Sequence, residues 1–302
     1  MKVLVTGGAG FIGSHVADLL INQGFQVIII DNLSTGKMEN VNKSATFYHM
    51  DIRSESVQEV FEKEKPTFVV HHAAQIDIQK SIKEPRLDGE INILGTINIL
   101  ENCIRYGIQK IIYPSSAAVY GEPAYLPVDE KHNICPMSYY GISKYTPEQY
   151  IRVYSSLYDL KHTIFRYANV YGPRQAYEGE GGVVAIFQHL MKIGQSPIIF
   201  GDGSQTRDYI YVGDVAQANL KALTQGDNET FNISTNEKTT VNQLFDVMKQ
   251  LLGFQGDVQY RPERPGDIPH SILDNRKAMM QLDWTPRYSL AAGLEEMLQS
   301  EE

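Results

Sequence analysis

The feature that most restricts how this chain can fold is a short β-branched run that breaks abruptly into glycines. Lys2-Val3-Leu4-Val5-Thr6 is followed at once by Gly7-Gly8-Ala9-Gly10-Phe11-Ile12-Gly13. Phe11, Ile12, Val16, Leu19 and Leu20 then recur at helical spacing until Gly24, a natural helix stop. A strand, a glycine turn and a helix in this order gather backbone N–H groups and the positive end of a helix at one point, which suits a pyrophosphate. Gly10 would let the backbone approach the phosphates, and Gly13 would let helix and strand pack closely. A second strand, Gln26 to Ile30, ends in Asp31, roughly 20 residues downstream, where a dinucleotide fold needs an acid. A carboxylate there accepts hydrogen bonds from ribose hydroxyls and repels a 2′-phosphate. The expected cofactor is therefore NAD.

Composition narrows the remaining classes. With 302 residues, 42% of them hydrophobic, the chain can bury one large core or two joined ones. A net charge of −9 argues against a nucleic-acid surface while leaving room for local basic pockets that hold phosphates. The two cysteines, Cys103 and Cys135, show no metal-ligand spacing and read as free thiols in a reducing compartment. No metal site is expected. The apolar runs at 26–30, 67–70 and 111–113 are too short to span a bilayer, and no signal peptide is visible. A cytoplasmic enzyme or binding protein without a membrane partner is the simplest expectation.

Strand-like and helix-like segments alternate through the first half, as in a doubly wound parallel sheet covered on both faces, a Rossmann-type α/β fold. Further strands are expected at 46–50, 67–70, 110–114 and 162–167, with a helix at about 54–63. Beyond Arg174 the rhythm becomes irregular. The expected division is a dinucleotide domain over 1–170 with a return segment at about 208–233, and a smaller substrate-binding domain over 171–207 and 234–302. Two stretches, Leu87 to Tyr106 and about Ser143 to Leu157, carry more apolar surface than one core-facing stripe needs. They are either buried crossover helices or the two helices that each subunit of a homodimer gives to a four-helix bundle.

Tyr140 and Lys144 are four residues apart, so on a helix they share one face. A lysine beside a phenol favours phenolate, and an oxidised nicotinamide would add positive charge. Both should lower the tyrosine pKa from about 10 toward a useful general base. The spacing alone is cheap in a chain with 18 tyrosines, and Tyr106 and Lys110 share it. Tyr106, however, sits at a helix end beside Gly107 and Lys110 opens a strand. No serine stands in a strand-end loop some two dozen residues before that pair, as Ser116 does before Tyr140.

With Ser115-Ser-Ala-Ala-Val-Tyr-Gly121, Tyr140-Gly-Ile-Ser-Lys144 and Arg207-Asp-Tyr-Ile-Tyr-Val212 added to the glycine turn, nearly the whole chain resembles the extended short-chain dehydrogenase/reductase family. The branch it is most similar to epimerises UDP-sugars. The resemblance implies NAD contacts at Gly7, Gly10, Phe11, Ile12, Asp31, Asn32, Asp51, Ile52, Ala73 and Lys144. It puts Asn92 near the catalytic centre and Tyr167 by the nicotinamide, and both count with the cofactor set. Ser116, Tyr140 and Lys144 are implied as the catalytic residues. A UDP-sugar would meet Ser116, Tyr140, Asn169, Phe200, Arg207, Arg264, Asp267 and Ser271, with the two arginines on the diphosphate.

The implied reaction is 4-epimerisation of a UDP-hexose, UDP-glucose or UDP-galactose, through a transient 4-keto sugar, with NAD regenerated in each turnover. Rival enzymes of the same family need an acid after the serine. A dehydratase would carry Asp-Glu there, and a UDP-glucuronate decarboxylase a glutamate at the second position. This chain has Ala117 and Ala118. A UDP-glucuronate 4-epimerase is a further alternative. A non-catalytic dinucleotide sensor would not need Ser116, Tyr140 and Lys144 together. Ser271 falls where members restricted to UDP-glucose and UDP-galactose place a tyrosine, so N-acetylated UDP-hexoses are expected to fit as well.

Overall fold

The computed structural model describes residues 1–178, 182–263 and 268–300. Its centre is a seven-stranded, all-parallel sheet. In chain order, β1 (Lys2–Thr6), α1 (Phe11–Asn22), β2 (Gln26–Asp31), β3 (Thr46–His49), α2 (Val57–Glu64) and β4 (Phe68–His71) form the first half. Two short helices, α3 (Ile78–Lys83) and α4 (Pro85–Gly89), lead through a π-turn at Glu90–Leu94 into α5 (Gly95–Arg105). Then come β5 (Lys110–Ser116), α6 (Tyr139–Tyr158), β6 (Lys161–Tyr167) and β7 (Asn169–Tyr171). The rest of the chain comprises α7 (Val183–Lys192), β8 (Ile198–Phe200), β9 (Thr206–Arg207), β10 (Tyr209–Tyr211), α8 (Val212–Ala222) and β11 (Glu229–Ile233). It ends with β12 (Thr239–Thr240), α9 (Val241–Leu252), β13 (Gln259–Arg261), α10 (Arg276–Gln281) and α11 (Leu290–Gln299).

The sheet order is β11-β6-β5-β4-β1-β2-β3. The chain winds outward from β1 to β3, then returns to β4 on the other side of β1, so the crevice at the carboxyl ends of β1 and β4 is the topological switch point. The strands are apolar on both faces because both are covered. Val3, Val5 and Ile29 pack with Val16 and Leu20 of α1 and Val215 of α8, while Leu4, Ile28 and Val69 pack with Phe61, Ile99 and Ile151. Each such fully buried aliphatic side chain contributes about 1.5–3 kcal/mol. The return segment supplies β11, paired to β6 from Glu229↔Thr163 to Ile233↔Tyr167. Residues 276–284, within a stretch assigned above to the smaller domain, also lie against this sheet: Ala278, Leu282 and Trp284 join its core cluster.

The remaining segments form three two-stranded ribbons, β10-β7, β12-β9 and β13-β8, with α7, α9 and α11 packed around Phe187, Leu244, Phe245 and Leu294. The helix carrying Tyr140 begins four residues before its expected start. Ser138 accepts from the Gly141 N–H at 3.0 Å and caps the helix there, so Tyr140 and Lys144 both fall within α6. Among the described residues no helix is long and apolar enough to cross a membrane.

Candidate active site

The glycine turn lies at the switch point. Gly7 has φ +70°, and a Cβ on it would stand 2.6 Å from the Ala73 nitrogen, so the turn after β1 touches the backbone that follows β4. A Cβ on Gly13 would stand 2.2 Å from the Gly7 carbonyl oxygen, which fixes how closely α1 approaches. The amino end of α1 carries no side-chain cap and no acid in its first turn. Its free N–H groups and dipole, at Phe11 and Ile12, are thus open to an anion. Asp31, buried, accepts from Ala9 N at 3.0 Å and from Leu33 N at 2.8 Å, one bond to each oxygen. Each oxygen keeps acceptor capacity for a ribose hydroxyl. These features fit a dinucleotide.

Further along the same edge, Asn32 donates to Asp51 at 2.9 Å, and Arg53 holds Asp51 through Nε and Nη2, pushing that carboxyl down to about 2. Ile52 is buried against Gly95, and Ala73 N donates to the Thr6 hydroxyl at 3.2 Å. Asn92, in the π-turn, is buried with both ends of its amide hydrogen-bonded. Its oxygen accepts from Gln75 N at 2.7 Å, and its nitrogen donates to Gln75 O and Ser143 Oγ, both at 2.9 Å. It ties the loop after β4 to α6. Tyr167 is likewise buried, accepting from Asn219 at 2.8 Å and stacked on His72 with ring centroids 6.3 Å apart. The His72 Nδ1 is buried beside it without a hydrogen-bond partner.

Ser116 ends β5, its hydroxyl accepts from Ala118 N at 3.2 Å, and its influence on the Tyr140 phenol is to lower the pKa. Lys144 is buried one turn beyond Tyr140, with Nζ 4.5 Å from the centroid of the Tyr113 ring. Burial pushes the Lys144 amine down to about 7 against the opposing charges of Glu148 and Asp88. The expected lowering of Tyr140 is not produced by the protein's own groups. Burial raises its phenol and the Asp88 charge adds to this, while the Ser116 hydrogen bond pulls the other way. The physical reason is that the site desolvates the phenol and weakens the ammonium that should stabilise its anion. His71 and His72 are both held down to about 3 by burial and then by Lys144, so they are neutral at neutral pH.

The control pair separates as its context implied. Tyr106 caps α5, and Lys110 points away to Asp227 at 2.8 Å. Asn169 is exposed at the start of β7, and its N–H donates to Asp208 O at 2.9 Å. Phe200 ends β8. Arg207 Nη1 donates to Thr206 O at 2.9 Å and Pro269 O at 3.3 Å, and Ser271 N donates to Thr206 O. Arg207 and Ser271 therefore share one small ribbon. Arg264 and Asp267 lie outside the described residues. Asp88 and Glu148, two buried acids behind Lys144, were not singled out from sequence. Their signal was available in Glu148, which follows Lys144 by one helical turn on the same face.

Residues 3–234 match the family model described as the NAD dependent epimerase/dehydratase family. A crystal structure of UDP-glucose 4-epimerase from Thermotoga maritima with UDP-glucose is 48% identical and superimposes with a TM-score of 0.97, over 99% of this chain and 98% of that one. The Thermus thermophilus UDP-glucose 4-epimerase in complex with NAD is 41% identical, with a TM-score of 0.94 over 99% and 98% of the two chains. A UDP-N-acetylglucosamine 4-epimerase from Methanobrevibacter ruminantium, in complex with UDP-N-acetylmuramic acid, is 35% identical, with a TM-score of 0.95 over 100% and 99%.

Proposed function

The chain belongs to the NAD dependent epimerase/dehydratase family, and from that membership we propose that it interconverts UDP-hexoses at C4, UDP-glucose with UDP-galactose first among them. The observation that carries this reading is the placement of Ser116 at the carboxyl end of β5, next to β4, and of Tyr140 one helical turn before the buried Lys144 on α6, with alanines at 117 and 118. Alanine moves no proton, so the eliminations and decarboxylations that follow the same oxidation have no acid or base at those positions.

NAD, when bound, supplies the acceptor and then the donor of hydride at the sugar's C4. Gly7, Gly10, Phe11, Ile12 and Asp31 would hold it, and Asn32, Asp51, Ile52 and Ala73 line the edge it would follow. Tyr140 takes the proton of the sugar's 4-hydroxyl in the first half of the cycle and returns it in the second. Ser116 donates to the same oxygen and keeps it facing the phenol. Because burial raises that phenol, Tyr140 ionises only with positive charge beside it, which Lys144 contributes as ammonium. The 4-keto sugar must turn over between the two halves. Its UDP tail is therefore held apart from the sugar, a role assigned to Asn169, Phe200, Arg207 and, outside the described residues, Arg264 and Asp267. Ser271 leaves room for a 2-acetamido group.

The reading is tested by incubating the purified protein, without added NAD, with UDP-glucose, UDP-GlcNAc and UDP-glucuronate in turn, and resolving products by NMR. Formation of the 4-epimer of UDP-glucose is expected. A 4-keto, 6-deoxy or pentose product, or none with NAD supplied, overturns it.

We also assign the protein to the cytoplasm and to a homodimer. Ile142, Tyr150, Val153 and Leu157 form one exposed stripe along α6, with Leu94 exposed on the neighbouring helical run. Two copies related by a two-fold axis would cover these stripes in a four-helix bundle. Sedimentation should give a dimer that Val153→Asp with Leu157→Asp converts to monomer; a monomeric parent protein refutes this assignment.

A further inference from the structure

Glu148 takes no part in the chemistry just described, yet it joins the three elements that carry Ser116, Tyr140 with Lys144, and Tyr167. It is 0% exposed and lies one turn after Lys144 on the same face of α6. Its carboxylate accepts from Arg166 Nε at 3.0 Å and Nη2 at 2.7 Å, from Ser115 Oγ at 2.6 Å, and from Arg152 Nη2 at 3.4 Å. Arg166 in turn donates to Tyr120 Oη at 3.1 Å and lies over that ring at 4.9 Å, and Tyr120 donates to Asn232 on β11 at 2.7 Å. Ser115 precedes Ser116, and Arg166 precedes Tyr167. One carboxylate thus ties together the strand bearing the serine, the helix bearing Tyr140 and Lys144, and the strand bearing Tyr167.

Packing alone does not require this arrangement. Removing two charges from water costs several kcal/mol per ion, and apolar side chains of similar volume join elements as well or better. What the charges add is a fixed field at the neighbouring amine. Among the described residues, the charges acting on Lys144 are Glu148 on its own helix and Asp88 from α4. The Tyr113 ring from β5 lies against its Nζ, His71 and His72 at the end of β4 lie near it, and Tyr140 stands one turn before it on α6. The histidines are neutral, and burial keeps the Tyr113 phenol neutral too. The negative charge at Lys144 therefore comes from Glu148 and Asp88.

We propose that Glu148 is a positioning residue for the reaction: clamped by Arg166, its carboxylate keeps Lys144 an ammonium and, through Ser115, holds Ser116 opposite Tyr140. The consequence for turnover rests on the epimerase reading; the consequence for Lys144 does not.

Glu148→Gln keeps the size and a hydrogen bond, removes the anion and leaves Arg166 an unpaired cation. Glu148→Gln with Arg166→Gln removes both charges of the clamp and leaves no unpaired guanidinium in it, so it serves where the single variant fails to fold. The readout is the Lys144 titration in the whole protein labelled with 13Cε-lysine, its resonance assigned as the one missing from Lys144→Arg. The midpoint, about 7 in the parent, should fall by a full unit or more in Glu148→Gln, about a tenfold smaller ammonium fraction at pH 8. In the double variant it should fall by less, about threefold on the same scale. Turnover of UDP-glucose should fall in parallel at fixed pH, with KM within about twofold. A Lys144 midpoint that stays put or rises in either folded variant overturns the proposal. If the parent protein epimerises nothing, only the turnover arm is lost and the titration still decides.

Discussion

The two sides of the site are built to different standards. Ser116 and Lys144 stand on a strand of seven residues within the main sheet and on a helix of twenty packed against that sheet. Arg207 stands on a strand of two residues paired to another of two. Around Lys144, Asp88, Asn92 and Ser143 on one side and Ser115, Glu148 and Arg166 on the other are buried and hydrogen-bonded to one another. Around Arg207 the guanidinium, partly exposed, reaches only backbone carbonyls in the described residues. A centre that moves protons and hydride needs its groups fixed before substrate arrives. A lobe that grips a nucleotide tail can let the ligand complete its order. Substitutions on the catalytic side should therefore act on turnover or folding, and those on the lobe should act on binding.

The largest effect is expected at Tyr140. Tyr140→Phe removes the proton carrier and should lower kcat by about 10²–10⁴-fold, with KM and bound NAD little changed. Near-normal turnover would break the assignment, and loss of NAD with the activity would show that the residue serves the fold.

Next comes a stability effect from the same side. His71 is buried between Thr6 Oγ1 at 2.6 Å and Thr96 Oγ1 at 3.0 Å, and burial, then Lys144, holds it down to about 3. A histidine whose folded pKa is depressed binds fewer protons folded than unfolded. Stability should then be lost as pH falls from 6.5 toward 3, by about 1.4 kcal/mol per pH unit for this group. His71→Asn lacks that titration. Urea midpoints between pH 6.5 and 4.5 should fall less steeply in the variant, and parallel slopes would refute the claim.

How much of this was legible in the sequence follows from element length. β1 with its glycine turn, and β2 ending in Asp31, announce themselves because a seven-residue glycine pattern and a terminal acid have few other uses. The Tyr140 and Lys144 pair could be told from Tyr106 and Lys110 because a glycine and a strand start broke the second. The acids behind Lys144 escaped notice because Glu148, flanked by Pro147 and Gln149, reads as part of a solvated helix face, and only β6 packing against β5 brings Arg166 to it. The bonds of Asn92 to Gln75 and Ser143 were not readable, because the π-turn that turns it inward leaves no periodic signal. In the lobe, two-residue strands carry no periodicity, so the pairing of Arg207 with Thr239 was not readable.

Arg207→Gln tests the other side. A charge-assisted hydrogen bond is worth about 1.5–3 kcal/mol, so KM for UDP-glucose should rise about 10- to 100-fold with kcat within about threefold. A fall confined to kcat would move Arg207 to the catalytic side and erase the contrast.

The smallest effect, and the sharpest on selectivity, is expected at Ser271. Its backbone N–H is bonded to Thr206 O at 3.1 Å, so the position is fixed on the ribbon next to Arg207. A tyrosine there would fill space that a 2-acetamido group needs and that a 2-hydroxyl does not. Discrimination by pocket volume is worth about 1–3 kcal/mol, so Ser271→Tyr should lower kcat/KM for UDP-GlcNAc about tenfold or more while leaving UDP-glucose nearly unchanged. Equal losses on both sugars would mean that the tyrosine disturbs the ribbon and not the pocket. Absence of UDP-GlcNAc turnover in the parent protein would remove the premise altogether. A selective loss would show that the lobe, built on two-residue strands apart from Tyr140 and Lys144, decides which sugar is turned over.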